Sequence, residues 1–183
     1  KMDVVHYKTN MAGGTGLNTN EDLSKLVDQI IADMDTKIVF MPVAVCDFEV
    51  ANISVDGMSL AKDKRLHAGY YNLVIQPYTN KMLAKIRAIR KDIFLVAFSS
   101  TTGTTQEMFL KAQRIMKDSS ANLVLANDLT SRLNFICTPE ESIYCETYDR
   151  DKAINELIDI ALLRSHLTFT RSTVVTGDRI AWS

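Results

Sequence analysis

The sequence predicts an α/β fold in three layers, a mostly parallel sheet with helices on both faces. Short apolar runs rich in β-branched and aromatic residues alternate with amphipathic stretches of helical period. The central runs, such as residues 93–98 (Ile-Phe-Leu-Val-Ala-Phe), are almost continuously hydrophobic, as strands covered on both faces must be. Three runs also end in polar tips: Ile38 to Val45 in Cys46-Asp47, residues 93–98 in Ser99-Ser100-Thr101, and residues 121–126 in Asn127-Asp128. Ligands of open parallel sheets gather at the carboxyl ends of strands, so these tips imply one shared crevice.

The elements follow in order. Residues 1–20, with Gly13, Gly14 and Gly16 among polar neighbours, read as a loop or arm. Over residues 21–34, Leu23, Leu26, Val27, Ile30, Ile31 and Met34 recur at three and four, a helix with Asn20 as its N-cap. A strand at 37–45 precedes a long polar insertion at 52–70, a basic flap carrying Lys62, Lys64, Arg65 and His67. A strand at 71–76 leads to a helix with Met82, Leu83, Ile86 and Ile89. After the strand at 93–98, Thr104 with Glu107 three residues on forms a capping box for a helix carrying Met108, Phe109, Ala112, Ile115 and Met116. Strands at 121–126 and 134–137 precede a last helix with Ile154, Leu157, Ile158, Ala161 and Leu162. Residues 164–183 are β-prone and read as a C-terminal arm. Methionines and aromatics on the helix stripes are core filling.

With 183 residues, 46% hydrophobic and 23% charged, the chain fits one domain over residues 1–183. A net charge of -1 and a pI near 6.3 offer no general positive field, which argues against nucleic acid as a partner. Cys46, Cys137 and Cys145 are odd in number and lack C-x-x-C spacing, so neither a disulfide framework nor structural zinc is expected, and a reducing compartment is. No apolar run approaches the roughly 20 residues of a membrane span, and no leader opens the chain; a cytoplasmic protein is expected. Opening on Lys1 is what a trimmed chain would show.

His6, His67 and His166 have no metal-ligand spacing, so no protein-bound metal is assigned. No Gly-x-Ser-x-Gly elbow supports a Ser-His-Asp triad. Gly13-Gly14-Thr15-Gly16 admits two readings, a phosphate cradle of backbone N–H groups or a turn in which glycine supplies positive φ. Lys62-Asp63-Lys64-Arg65 likewise admits a solvated surface run or cations that fold over the strand tips onto a polyphosphate.

These residues, in order, resemble the phosphopantothenate-cysteine ligase family. Val43-Ala44-Val45-Cys46-Asp47-Phe48 is similar to the family's Ala-Ala-Val-Ser/Ala-Asp-Phe/Tyr strand end, and Lys62-Asp63-Lys64-Arg65 to its Lys-x-Lys-Lys flap. Asn80-Lys81-Met82-Leu83 resembles a Pro-Lys-Leu/Ile-Leu/Ile helix start, Val96-Ala97-Phe98 a Val-Gly-Phe strand, and Leu123 to Leu129 the strand ending in Ala-Asn-Asp. Asp3 to Gly14 is similar to Asp-x-Val-Arg-Tyr-Ile-Ser/Thr-Asn-x-Ser-Ser-Gly. Together these blocks cover most of residues 3–160.

The resemblance implies a Rossmann-like sheet lacking the family's first strand and helix, and an amide synthesis in coenzyme A production. A nucleotidyl group from CTP or ATP, with Mg²⁺ carried by the nucleotide, would activate 4'-phosphopantothenate, and cysteine would attack the acyl-nucleotide. It implies Lys62 and Asn10 as catalytic residues, the first stabilising transferring phosphate, the second holding the acyl-nucleotide. It implies Ala44, Asp47, Lys64, Arg65, Lys81, Phe98 and Asn127 as nucleotide-binding residues, and a homodimer whose arms, including residues 166–176, cross between protomers. The chain departs from the family at His6, where Arg is usual, at Met11-Ala12-Gly13, and at Thr101, where Glu is common. Those departures leave a second reading, a domain of the same fold that binds nucleotide or a partner without turnover. A third, an unrelated flavin or dinucleotide oxidoreductase, lacks its Gly-x-Gly-x-x-Gly after a strand.

Overall fold

The computed structural model describes residues 3–43, 48–61 and 65–175, with side chains through His166 in the last helix. A short 3-10 turn at Asn10–Ala12 is followed by α1 (Asn20–Ala32), β1 (Ile38–Met41), β2 (Phe48–Val55), β3 (Met58–Leu60), β4 (Asn72–Pro77), α2 (Met82–Ile89), β5 (Phe94–Thr101), α3 (Thr105–Ser119), β6 (Leu123–Asp128), β7 (Asn134–Cys137), β8 (Ile143–Thr147) and α4 (Arg150–Val175). The chain gathers into two compact units, Lys1–Leu23 with Ala44–Lys81, and Ser24–Val43 with Met82–Ser183.

The second unit holds a five-stranded sheet of order β1-β5-β6-β7-β8. β1, β5 and β6 pair in parallel, β7 is antiparallel to β6, and β8 is antiparallel to β7. β8 therefore runs along β6, and β7 alone opposes the common direction. Alternate residues of the central strands feed two cores. Ala97, Val124, Ala126, Phe135 and Cys137 pack with Met108, Ala112 and Met116 of α3 on one face. Phe94, Val96, Leu123, Leu125 and Ile136 pack with Ala153, Leu157 and Ala161 of α4 on the other. This is the three-layer, mostly parallel arrangement that the apolar runs predict.

The amino end of this sheet is tied down by two arginines that close α2. Arg87 donates to the carbonyls of Ser120, Lys91 and Ile93 and to Asn122 Oδ1, which also accepts the Leu95 amide. Arg90 reaches the carbonyls of Ile31, Asp33 and Thr36 and both oxygens of Asp92. The carbonyls it takes from the end of α1 are those a helix leaves without amide partners.

The first unit holds an antiparallel sheet of order β3-β2-β4. The strand at 71–76 thus leaves the parallel sheet expected of it and pairs with β2 as β4. Part of the polar insertion is also ordered pairing: β2 and β3 form a hairpin whose turn residues Asp56 and Gly57 have φ 48° and 77°. That is the turn Asp-Gly favours, because two left-handed residues match the strand twist.

Two further expectations change. The N-cap of α1 is Thr19 rather than Asn20: Thr19 Oγ1 accepts the Asp22 amide at 3.1 Å, the Asp22 carboxylate accepts the Thr19 amide at 2.9 Å, and the Leu23 amide bonds Thr19 O. The predicted arm from residue 164 continues α4 to Val175. No glycine or proline interrupts residues 150–176, and extending a formed helix costs far less than starting a new element.

Candidate functional site

At the carboxyl ends of β5 and β6, on the α4 face, side chains change from packing to hydrogen bonding. Phe98 is half-buried against the apolar cluster of that face. Two residues further, Ser100 lies opposite Asn127 in the parallel register, and its hydroxyl donates to Asn127 Oδ1 at 2.9 Å. With its oxygen occupied, the Asn127 amide presents N–H groups, for which no acceptor is found among the described residues. Phe98 and Asn127 are therefore brought to the same face of adjacent strand tips.

The row extends across the sheet. Asn127 pairs with Asn134 of β7. Asn134 is 3% exposed and fully engaged: its amide donates to the carbonyls of Arg132 (2.7 Å) and Thr147 (3.3 Å), and its Oδ1 accepts from Arg150 Nη1 at 2.9 Å. Partial burial pushes the Arg150 pKa down, and no carboxylate pairs with it among the described residues. The neighbouring Asp149 instead caps α4, its Oδ1 accepting the amides of Asp151 and Lys152.

The α3 face of the same tips is structural. Asp128 is buried, and its carboxylate accepts from the Thr130 amide and from the amide and hydroxyl of Ser131, which hold its pKa below the ordinary range and fix the loop into β7. The predicted capping box of α3 is present: Glu107 accepts from the Thr104 amide at 2.7 Å and its own amide donates to Thr104 Oγ1 at 3.2 Å. That carboxylate occupies the helix start. Ser99 Oγ and Thr101 Oγ1 are buried there without a hydrogen-bond partner.

In the first unit, Asn10 closes a loop. Its Oδ1 accepts the Leu17 amide at 3.3 Å and its amide donates to Leu17 O at 3.0 Å. Gly13 and Gly16 take φ 78° and 79°, which supports the turn reading of the glycine run. The amides of Gly13 and Gly14 bond Asn10 O and Thr9 O, so they are not open to a phosphate. A side chain at Gly14 would lie 2.0 Å from Lys8 O. Arg65 and Lys81 are exposed, Lys81 immediately before α2. Ala44, Asp47, Lys62 and Lys64 lie outside the described residues.

A cavity of about 330 Å³ lies at the amino end of the second unit's sheet, lined by Gln113, Met116, Lys117, Asn122 and Thr138 among others. Asn122 precedes Asn127 by five residues, roughly 17 Å along a strand, so the cavity is separate from the polar tips. No group of three or more His, Cys, Asp or Glu among the described residues is placed to hold a metal. No described helix is long and apolar enough to cross a membrane.

The DNA/pantothenate metabolism flavoprotein C-terminal domain family matches residues 5–157. The chain belongs to this family. As a DNA/pantothenate metabolism flavoprotein C-terminal domain it shares its fold with solved structures at low identity. It is similar to the DNA/pantothenate metabolism flavoprotein from Streptococcus pneumoniae, at 16% identity and TM-score 0.63 over 82% of this chain and 69% of that one. It is similar to the C-terminal domain of the coenzyme A biosynthesis bifunctional protein CoaBC, at 16% identity and TM-score 0.54 over 82% of this chain and 65% of that one. A Cab2 variant in complex with phosphopantothenate-cysteine gives 14% identity and TM-score 0.61 over 86% of this chain and 53% of that one. No sequence among curated proteins matches.

The sequence pointed to Ser100 only as one of the polar strand tips, and did not point to Asn134 or Arg150. One signal was present: Arg150 opens a helix, where the positive end of the helix dipole disfavours a cation.

Proposed function

We propose that this domain acts as a phosphopantothenate-cysteine ligase. The observation that carries the reading is the placement of Phe98 and Asn127 on one face of adjacent parallel strand tips, where Ser100 pairs with Asn127, in a chain of this family. A Cab2 variant solved with phosphopantothenate-cysteine lends the ligand class.

In this reading a carboxylate oxygen of 4'-phosphopantothenate attacks the α-phosphorus of CTP or ATP and pyrophosphate leaves. The cysteine amine then attacks the acyl carbon, loses a proton, and expels the nucleoside monophosphate. Catalysis is mainly positioning and charge stabilisation. Lys62, with Lys64 and Arg65, would stabilise the transferring phosphate, Asn10 would hold the acyl-nucleotide, and Ala44, Asp47, Lys81, Phe98 and Asn127 would bind nucleotide. Mg²⁺ would enter with the nucleotide, and no step is assigned to a protein-held metal.

The test is pyrophosphate release dependent on nucleotide, phosphopantothenate and cysteine together, with Lys62→Ala and Asn127→Ala as variants. Repeated turnover, with release of nucleoside monophosphate, that does not require cysteine, or variants that keep wild-type turnover, would overturn the assignment. One observation favours a binding domain without turnover: the Gly13 and Gly14 amides are engaged within their own loop. Thermal stabilisation by nucleotide with no product would select it.

A homodimer in a cytoplasmic, reducing setting completes the reading. β4 is an edge strand, and Phe48, Val50, Leu73 and Ile75 are exposed and uncharged on one face of its sheet. A second β4 laid antiparallel across a two-fold axis would satisfy the free edge and cover this self-complementary face.

A further inference from the structure

We propose that Arg150 forms, with Asn127, a phosphate subsite at the carboxyl edge of the sheet. It deepens the ligase reading and, as a substrate subsite, rests on it. The guanidinium has five N–H donors and Asn134 takes one. Its other donors have no partner among the described residues, and the side chain is exposed, so they are open to a ligand.

Nearby groups that could neutralise Arg150 are engaged elsewhere. Asp149 accepts the first amides of α4, and Asp128 lies on the opposite face bonded to Thr130 and Ser131. Asn134 cannot turn toward a ligand, because both its amide hydrogens and its oxygen are engaged. It fixes the guanidinium instead. Ser100 does the same for Asn127, orienting its amide so that N–H groups face outward. Since Asn127 and Asn134 are cross-strand partners, their α-carbons are about 5 Å apart, and Arg150 is one side chain beyond. The open groups of Arg150 and Asn127 are therefore donors. Oxygens of a phosphate group match this array, and a guanidinium fork grips them with two parallel bonds.

Two ligands of the reaction carry that chemistry, the polyphosphate of the nucleotide and the phosphate of phosphopantothenate. Calorimetric titration of the whole chain with CTP, ATP, phosphopantothenate and inorganic pyrophosphate, for wild type, Arg150→Gln and Arg150→Lys, distinguishes them. We expect Arg150→Gln to weaken pyrophosphate and one of the substrate arms by about tenfold or more, with Arg150→Lys intermediate. Their thermal midpoints should stay near wild type; Arg150→Lys keeps the test open if Arg150→Gln fails to fold. Wild type binding substrate with both variants within about twofold in every arm overturns the subsite and leaves the ligase reading intact. Arg150-dependent binding of pyrophosphate without any binding of nucleotide or phosphopantothenate keeps an anion site and removes the ligase reading. Wild type binding nothing overturns both.

Discussion

Replacing Arg90 by Met should cost the fold more than any single surface change. Arg90 is 5% exposed, and its five N–H bonds meet five acceptors at 2.8–3.1 Å: both Asp92 oxygens and the carbonyls of Ile31, Asp33 and Thr36. One side chain thus closes α1, pins the turn into β1 and anchors the entry to β5. Removing one partner of a buried charged network costs about 3–5 kcal/mol when the rest is stranded away from water. The Asp92 side chain is 43% exposed and can rehydrate, which places the loss at the lower end, about 3 kcal/mol. For a chain of this size that lowers Tm by about 6–12 °C. Arg90→Lys, with three donors on a point charge, should recover less than half. Urea unfolding followed by circular dichroism measures both, and a loss below about 1 kcal/mol for Arg90→Met would refute this account of the sheet's amino end.

The same network sets part of the acid sensitivity. The bond from Arg90 favours the charged carboxylate and holds Asp92 down to about 2, from an ordinary 3.8. A depressed folded pKa stabilises above the unfolded value and is lost as pH falls from 3.8 through about 2. Solvent screening of a half-exposed group reduces this contribution to about 1 kcal/mol. Stability between pH 4 and pH 2 should therefore fall less steeply in Arg90→Met by about that amount. Glu140, held at about 2 by Arg164, should keep its own slope in both proteins.

Other perturbations follow from single contacts. Thr104→Ala removes the side-chain half of the α3 capping box and should cost about 1 kcal/mol in urea unfolding, with ligand binding unchanged. Cys137 is fully buried and its thiol is pushed up to about 11, so alkylation at pH 8 should modify it only after unfolding; native-state labelling of the Cys137 peptide would contradict that. On the proposed dimer, Ile75→Lys places a charge on the exposed β4 face and should shift sedimentation from dimer to monomer while circular dichroism shows the fold retained. A variant that remains dimeric would remove β4 from the interface.

What could be read from the sequence was whatever depends on local period and chemistry. Residues 93–98 and 121–126 announced central strands because both faces are buried, and Thr104 with Glu107 announced its helix start. β4 misled, because six apolar and polar residues in extended form look the same in a parallel sheet and in a hairpin arm. β8 was overlooked: Ile-Tyr-Cys-Glu-Thr is short and largely exposed, with little hydrophobic signal. Asp56-Gly57 did carry a hairpin signal. The candidate site was legible only in its strand tips. Phe98 and Asn127 stood at strand tips where topology brings tips together, whereas Arg150 and Asn134 reach that place only through β7 and β8 turning back along the sheet.

The two ends of the sheet in the second unit show why the remainder matters. At the amino end, Arg90 has every donor engaged and Arg87 makes four bonds, so these cations serve the backbone. At the carboxyl end, Arg150 makes one bond, to a residue that is itself held by two carbonyls. An arginine whose task was to stabilise this fold would collect acceptors as Arg87 and Arg90 do. Asn127 repeats the pattern beside it, with its acceptor satisfied and its donors open. Each group is thus held in orientation by a neighbour while its remaining donors stay open. The arginines of the amino end are engaged by the fold, whereas at the carboxyl end Arg150 and Asn127 hold open hydrogen-bond donors.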